Sequence, residues 1–84
     1  MTEKELIEEG FEKITVPNSE SNNGYDYYFY ELGICDHITL YSTDSIDVKD
    51  DNWTLECWEI YGLKIADKDT FQQFKELMTN IICE

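Results

Sequence analysis

Cys35-Asp36-His37 places the only histidine of the chain two residues from a thiol. On a strand that spacing puts both side chains on one face, where they would form a nucleophile-base pair or part of a metal site. Neither chemistry is completed elsewhere in the sequence. A zinc ion needs about four ligands, and no second His or nearby Cys supplies them. Thiolate chemistry needs an electropositive setting, and this neighbourhood is negative. The triplet therefore reads as a strand-end turn.

Residues 43 to 52 carry Asp44, Asp47, Asp50 and Asp51 against a single Lys49, and the alternation Asp47, Lys49, Asp51 invites comparison with a calcium loop. Counted from Asp47, Lys49 takes the place of the third-position ligand. Asn52 stands where the glycine is required, and Trp58 where the bidentate Glu belongs. The segment reads as a solvated acidic loop, and no metal is expected. Glu31 with Glu56, or Glu56 with Glu59, would suit paired general acid and base work. With 19 Asp and Glu in 84 residues, however, such pairs arise by chance, and so small a chain rarely forms a pocket deep enough to raise one pKa selectively. Glycine-rich phosphate loops, a Ser-His-Asp set and basic stripes are all absent from the sequence. The expectation is a protein that is not an enzyme and takes no cofactor.

Charge is the dominant signal. The 19 acids face 6 Lys and no Arg, for a net charge of −13. Such a chain does not attract phosphate backbones, which excludes direct nucleic-acid binding, and it lacks the guanidinium fork for bidentate recognition. A basic protein surface is the partner the composition fits, for example the nucleic-acid channel of another protein. B-DNA carries one charge per roughly 1.7 Å of axis, so a stretch as long as this domain's diameter of ~30 Å holds about 18 charges. That is comparable to the −13 here. The candidate partner-binding residues are Glu5, Glu8, Glu9 and Glu12 of an N-terminal acidic face, Asp44, Asp47, Asp50 and Asp51 of the loop, and the aromatics Tyr41 and Trp58. The alternative is a structural or assembly module that docks or forms a homodimer through an open sheet face, its acidity serving solubility alone. Clustering of the charge on one side separates the two readings.

The elements that must position these residues follow from local pattern. Thr2 with Glu5 fits a capping box, and Gly10 fits a left-handed helix stop, so a short helix is expected over residues 3 to 10. Its Glu5, Glu8 and Glu9 fall opposite Leu6 and Ile7, and Glu12 joins that arc if the helix runs on. Phe11 and Ile14 read as apolar anchors leading to Val16-Pro17, and residues 18 to 24 as a polar loop. The aromatic run from 25 to 32 reads as a strand, 33 to 36 as its turn, and 37 to 42 as its hairpin mate. Residues 53 to 60 and 63 to 65 read as a third strand and a short fourth. Asp67 or Asp69 would cap a final helix in which Phe71, Phe74, Leu77, Met78, Ile81 and Ile82 recur at helical spacing. The expected architecture, over 1 to 84 as one domain, is α+β: a three- to four-stranded antiparallel sheet with both helices on one face. Tyr27, Phe29, Glu31, Thr39, Tyr41, Glu56 and Trp58 fall on the other face.

A hydrophobic share of 42%, with 14% aromatic residues, is high enough for this acidic chain to fold. The three cysteines are odd in number, widely spaced and without a Cys-x-x-Cys pair, which fits reduced thiols and a cytoplasmic setting. Neither an apolar signal region nor a membrane-length run is present. Gly10-Phe11 after a short acidic helix, the strand Tyr27-Tyr28-Phe29-Tyr30-Glu31-Leu32, Asp51-Asn52-Trp53 opening a later strand, and the amphipathic C-terminal helix together resemble the small acidic proteins of unknown function from phages and mobile elements. The resemblance spans most of the chain and implies an intracellular counter-defence or host-takeover role, since such groups include anti-CRISPR proteins and DNA mimics. It carries no defined site, so no residue role is transferred.

Overall fold

The computed structural model of the chain describes residues 1–17, 19, 24, 26–35 and 38–81. Asp36, His37, Tyr25, Ile82, the Cys35 side chain and most of the predicted polar loop lie outside the described residues, so the Cys35-Asp36-His37 turn is not described.

Helix α1, Glu3–Glu8, begins as its sequence predicts. The Glu5 N–H donates to Thr2 Oγ1 at 3.1 Å, and the Thr2 N–H donates to Glu5 Oε1 at 2.8 Å. It ends in a Schellman motif: the Gly10 N–H donates to the Ile7 carbonyl, the Phe11 N–H to the Leu6 carbonyl, and Gly10 sits at φ 94°. The residues at the two ends of the longer bond, Leu6 and Phe11, are both buried, which completes the motif's apolar contact.

Five strands follow in a meander: β1 Glu12–Val16, β2 Tyr27–Cys35, β3 Ile38–Ser42, β4 Leu55–Cys57 and β5 Lys64–Ile65, each antiparallel to its neighbours in the order β1-β2-β3-β4-β5. Helix α2, Lys68–Ile81, closes the chain. The class is α+β in the element order that the sequence predicts, with one strand more than the three or four expected. The added strand is β1. Its Glu-Lys-Ile-Thr-Val is short and opens on two charged residues, so its propensity is weak, and pairing with β2 decides its state. β2 continues to Cys35 through an irregularity between Gly33 and Cys35, where a turn was expected, and the strand predicted over 53 to 60 contracts to Leu55–Cys57.

Leu6 of α1, Phe11 and Phe71 of α2 meet Tyr30, Leu40, Leu55 and Ile65 of the sheet in a single core. Both helices therefore cover the same sheet face. Asp67 caps α2, accepting the Thr70 N–H at 2.7 Å. Leu77, counted in the apolar stripe by spacing, is 51% exposed because it lies at the margin of the face centred on Phe71, Phe74 and Met78.

Beyond the Glu31–Tyr41 pair the β2–β3 ladder stops, and serine hydroxyls take the place of carbonyls. Tyr30 N–H donates to Ser42 Oγ at 2.8 Å and Tyr28 N–H to Ser45 Oγ at 3.0 Å. Ser42 is 3% exposed and its own hydroxyl donates to the Thr43 carbonyl. Replacing Ser42 by Ala strands a buried N–H, so urea unfolding should show a loss of about 1–3 kcal/mol. Gly10→Ala meets no atom within 4 Å, so its loss of about 1 kcal/mol should come from backbone conformation alone. An unchanged midpoint in Ser42→Ala would refute the role given to that hydroxyl.

Candidate partner-binding face

Alternation along paired strands sorts the aromatics into two populations. Tyr28, Tyr30 and Trp53 point to the helices, with ring centroids 5.4–6.0 Å apart. Tyr30, 2% exposed, donates its hydroxyl to Glu3 Oε2 at 2.6 Å, and burial together with that carboxylate pushes its pKa well above the ordinary tyrosine value. These rings are core.

The other population looks outward. The register aligns Glu12 with Glu31, Glu31 with Tyr41, Tyr41 with Glu56 and Glu56 with Lys64, one row running across all five strands. Beside it lie the pairs Ile14 with Phe29 and Val16 with Tyr27, all partly exposed. No described helix covers this face. Its occupants agree with the sequence expectation for Tyr27, Phe29, Glu31, Thr39, Tyr41 and Glu56, while Ile14 and Val16 join them only through the pairing of β1 with β2.

At one corner the Tyr41 and Trp58 rings stack, centroids 4.5 Å apart and planes inclined by 31°. Trp58 is 68% exposed, and Tyr61 is wholly exposed. Together with Glu56 and Lys64 they line a cleft of about 380 Å³. Burial, and next the charge of the Glu56 carboxylate, raise the Tyr41 hydroxyl above its ordinary pKa, so Tyr41 stays neutral throughout the physiological range.

The predicted acidic positions divide. Glu12 is not on the α1 face: Gly10 in its left-handed conformation ends the helix and turns the chain, placing Glu12 in β1 beside Glu31. Glu5 is occupied by its cap, and the Thr2 backbone N–H foremost holds its carboxyl below the usual range. Glu9 accepts from Gln72 Nε2 at 2.6 Å and lies 3.9 Å from Lys68 Nζ. Asp51 accepts from the Glu3 N–H at 3.0 Å and from Trp53 Nε1 at 2.9 Å. The bond from Glu3 joins the loop to the start of α1, so the two predicted acidic segments are neighbours. Glu8, Asp47 and Asp50 stand exposed, and Asp50 and Asp51 both take positive φ, 55° and 57°.

No group of three or more His, Cys, Asp or Glu among the described residues is arranged to hold a metal ion. Among the described residues no helix is long and apolar enough to cross a membrane.

Asp44 reveals a cost in the loop, because burial first and the Asp47 charge second raise its pKa above the ordinary 3.8. A raised carboxyl opposes folding when ionised. Asp44→Asn should therefore raise the melting temperature at pH 7. The difference should shrink as pH falls through the raised value and vanish below about 3.8, where Asp44 is protonated folded and unfolded alike. Melts across pH that show no gain at neutrality would contradict this. Compared with protein-family models, curated proteins and solved structures, the chain finds no match.

Proposed function

We propose that this chain is a non-enzymatic binding protein that sets its carboxylate-framed aromatic face on a basic surface of a macromolecular partner, in the manner of an inhibitor or DNA mimic. The observation that carries the reading is the cross-sheet row, which puts Glu12, Glu31 and Glu56 on either side of Tyr41 on a face that no described helix covers. Charge supplies attraction and orientation over distance, while Phe29, Ile14 and the Tyr41–Trp58 stack supply apolar area once contact is made. A protein surface that itself binds nucleic acid offers the matching Lys and Arg, and a cytoplasmic counter-defence role suits such a target. The acidic loop extends the negative rim, because Asp44 and Asp47 line a cleft with Tyr41 and Glu56.

Two copies meeting through this face would bring the same three carboxylates together, which disfavours the assembly-module alternative at low salt. The chain's net charge of −13 adds to that repulsion.

The test separates position from total charge. Glu31→Gln with Glu56→Gln, and Asp69→Asn with Glu76→Gln on α2, change net charge equally. The reading expects the first pair to reduce capture of basic nucleic-acid-binding proteins from lysate at low salt about tenfold, and the second pair to have little effect. Rising salt should weaken capture steeply, because exposed charges are screened within ~8 Å at physiological ionic strength. Equal losses in the two variants, or a salt-independent dimer by sedimentation, would reject it.

A further inference from the structure

Resting on the basic-partner reading, we infer that the cleft beside the Tyr41–Trp58 stack is an arginine-binding site, taking one guanidinium of a protein partner between aromatic faces and the Glu56 carboxylate. Two observations converge there, and a third limits the affinity.

The first is geometry. Tyr41 and Trp58 are already stacked 4.5 Å apart, and Tyr61, wholly exposed, stands at the same cleft. Large aromatics left this open, in a chain with so small a core, are not needed for packing. Aromatic faces carry negative quadrupoles that attract cations, and indole does so best.

The second is charge. Glu56 lies between Tyr41 and Lys64 in the cross-sheet register and lines the cleft. A carboxylate has about four lone-pair positions, so it can accept two N–H bonds from a planar guanidinium. An anionic ligand would meet Glu56 at close range and a net −13 at long range. The ligand chemistry is cationic.

The third is the cation already present. Lys64 lines the cleft opposite Glu56, yet it forms no ion pair with it, and Lys68–Glu9 is the one such pair among the described residues. Elsewhere the chain shows a comparable contact, with Lys13 Nζ 4.1 Å from the Tyr28 ring centroid. Lys64 stands where it would repel an incoming charge and so limit affinity. Arginine is favoured over lysine because its weakly hydrated plane both stacks on indole and pairs bidentately with a carboxylate.

The experiment uses the intact chain with hexa-arginine, hexa-lysine and hexa-citrulline as probes at ~150 mM salt, where the Debye length is about 8 Å. The indole N–H resonances of Trp58 and of buried Trp53 give the readout, with the backbone amides of Tyr41 and Glu56, which line the same cleft, reporting binding where Trp58 is replaced. Hexa-arginine should shift Trp58 saturably and leave Trp53 in place, hexa-lysine should bind more weakly, and hexa-citrulline should not bind. Trp58→Ala and Glu56→Gln should each weaken hexa-arginine about fivefold, the scale of one cation–aromatic contact. Trp58→Phe should retain part of the affinity, and Lys64→Ala should tighten it about twofold. Hexa-arginine binding that persists unchanged in Trp58→Ala and Glu56→Gln overturns the site while leaving the basic-partner reading intact. Equal affinity for hexa-lysine overturns the assignment to arginine, and absence of binding by both cationic peptides overturns the site and that reading together.

Discussion

The pairing of Glu31 with Tyr41, and of Tyr41 with Glu56, is the constraint on which the molecule's surface depends. Strand side chains alternate with period two, so a slip of one residue would carry these carboxylates into the core and bring Tyr30, Leu40 and Leu55 out to water. The reverse arrangement is held by burial. Leu40 and Leu55 are 0% exposed and Tyr30 is 2% exposed, each burial worth roughly 1.5–3 kcal/mol, so hydrophobic packing against α1 and α2 determines where the negative row appears. Ser42, bonded to the Tyr30 N–H, adds a polar lock at the point where β2 and β3 part.

A chain of net charge −13 must also tolerate itself. It does so less by ion pairing than by offering carboxylates to N–H and O–H donors. Glu5 and Asp67 cap the two helices, where negative charge also meets the favourable end of the helix dipole. Glu3 takes the Tyr30 hydroxyl, Asp51 takes the Glu3 amide and the Trp53 indole, and Glu59 takes the Thr39 amide. These acids serve the fold. Asp44 is the exception among the loop acids: burial, and next the Asp47 charge, raise its carboxyl, so its ionised form opposes folding. A cation of a partner placed beside Asp44, in the cleft it shares with Tyr41 and Glu56, would relieve that cost.

Local signals were legible where the physics is local. Thr2, Glu5 and Gly10 specify the bounds of α1 through hydrogen bonds spanning at most five residues, and the alternation Trp53, Leu55, Cys57 shows which side of β4 is buried. β1 was not legible, since Glu12 to Val16 becomes a strand only by pairing with a segment that begins at Tyr27. Without that pairing Glu12 reads as joining the α1 acidic arc if the helix runs on, and the apolar patch made by Ile14 and Val16 with Phe29 and Tyr27 does not show in the sequence. The cleft was half legible: Tyr41 and Trp58 were singled out by face, but Tyr61 read as a turn residue, and its place beside them depends on how the chain returns from β4 to β5.

The account stands on negative potential being concentrated over one side of the fold. Paramagnetic relaxation by a cationic nitroxide, compared with an anionic one, reads local potential amide by amide. The account predicts that the cationic probe broadens the amides of Phe29, Glu31, Tyr41, Glu56 and the Asp44 to Asp51 loop well beyond exposed amides of α2, with the opposite pattern for the anionic probe. A ratio of the two effects that is uniform around the molecule would contradict it.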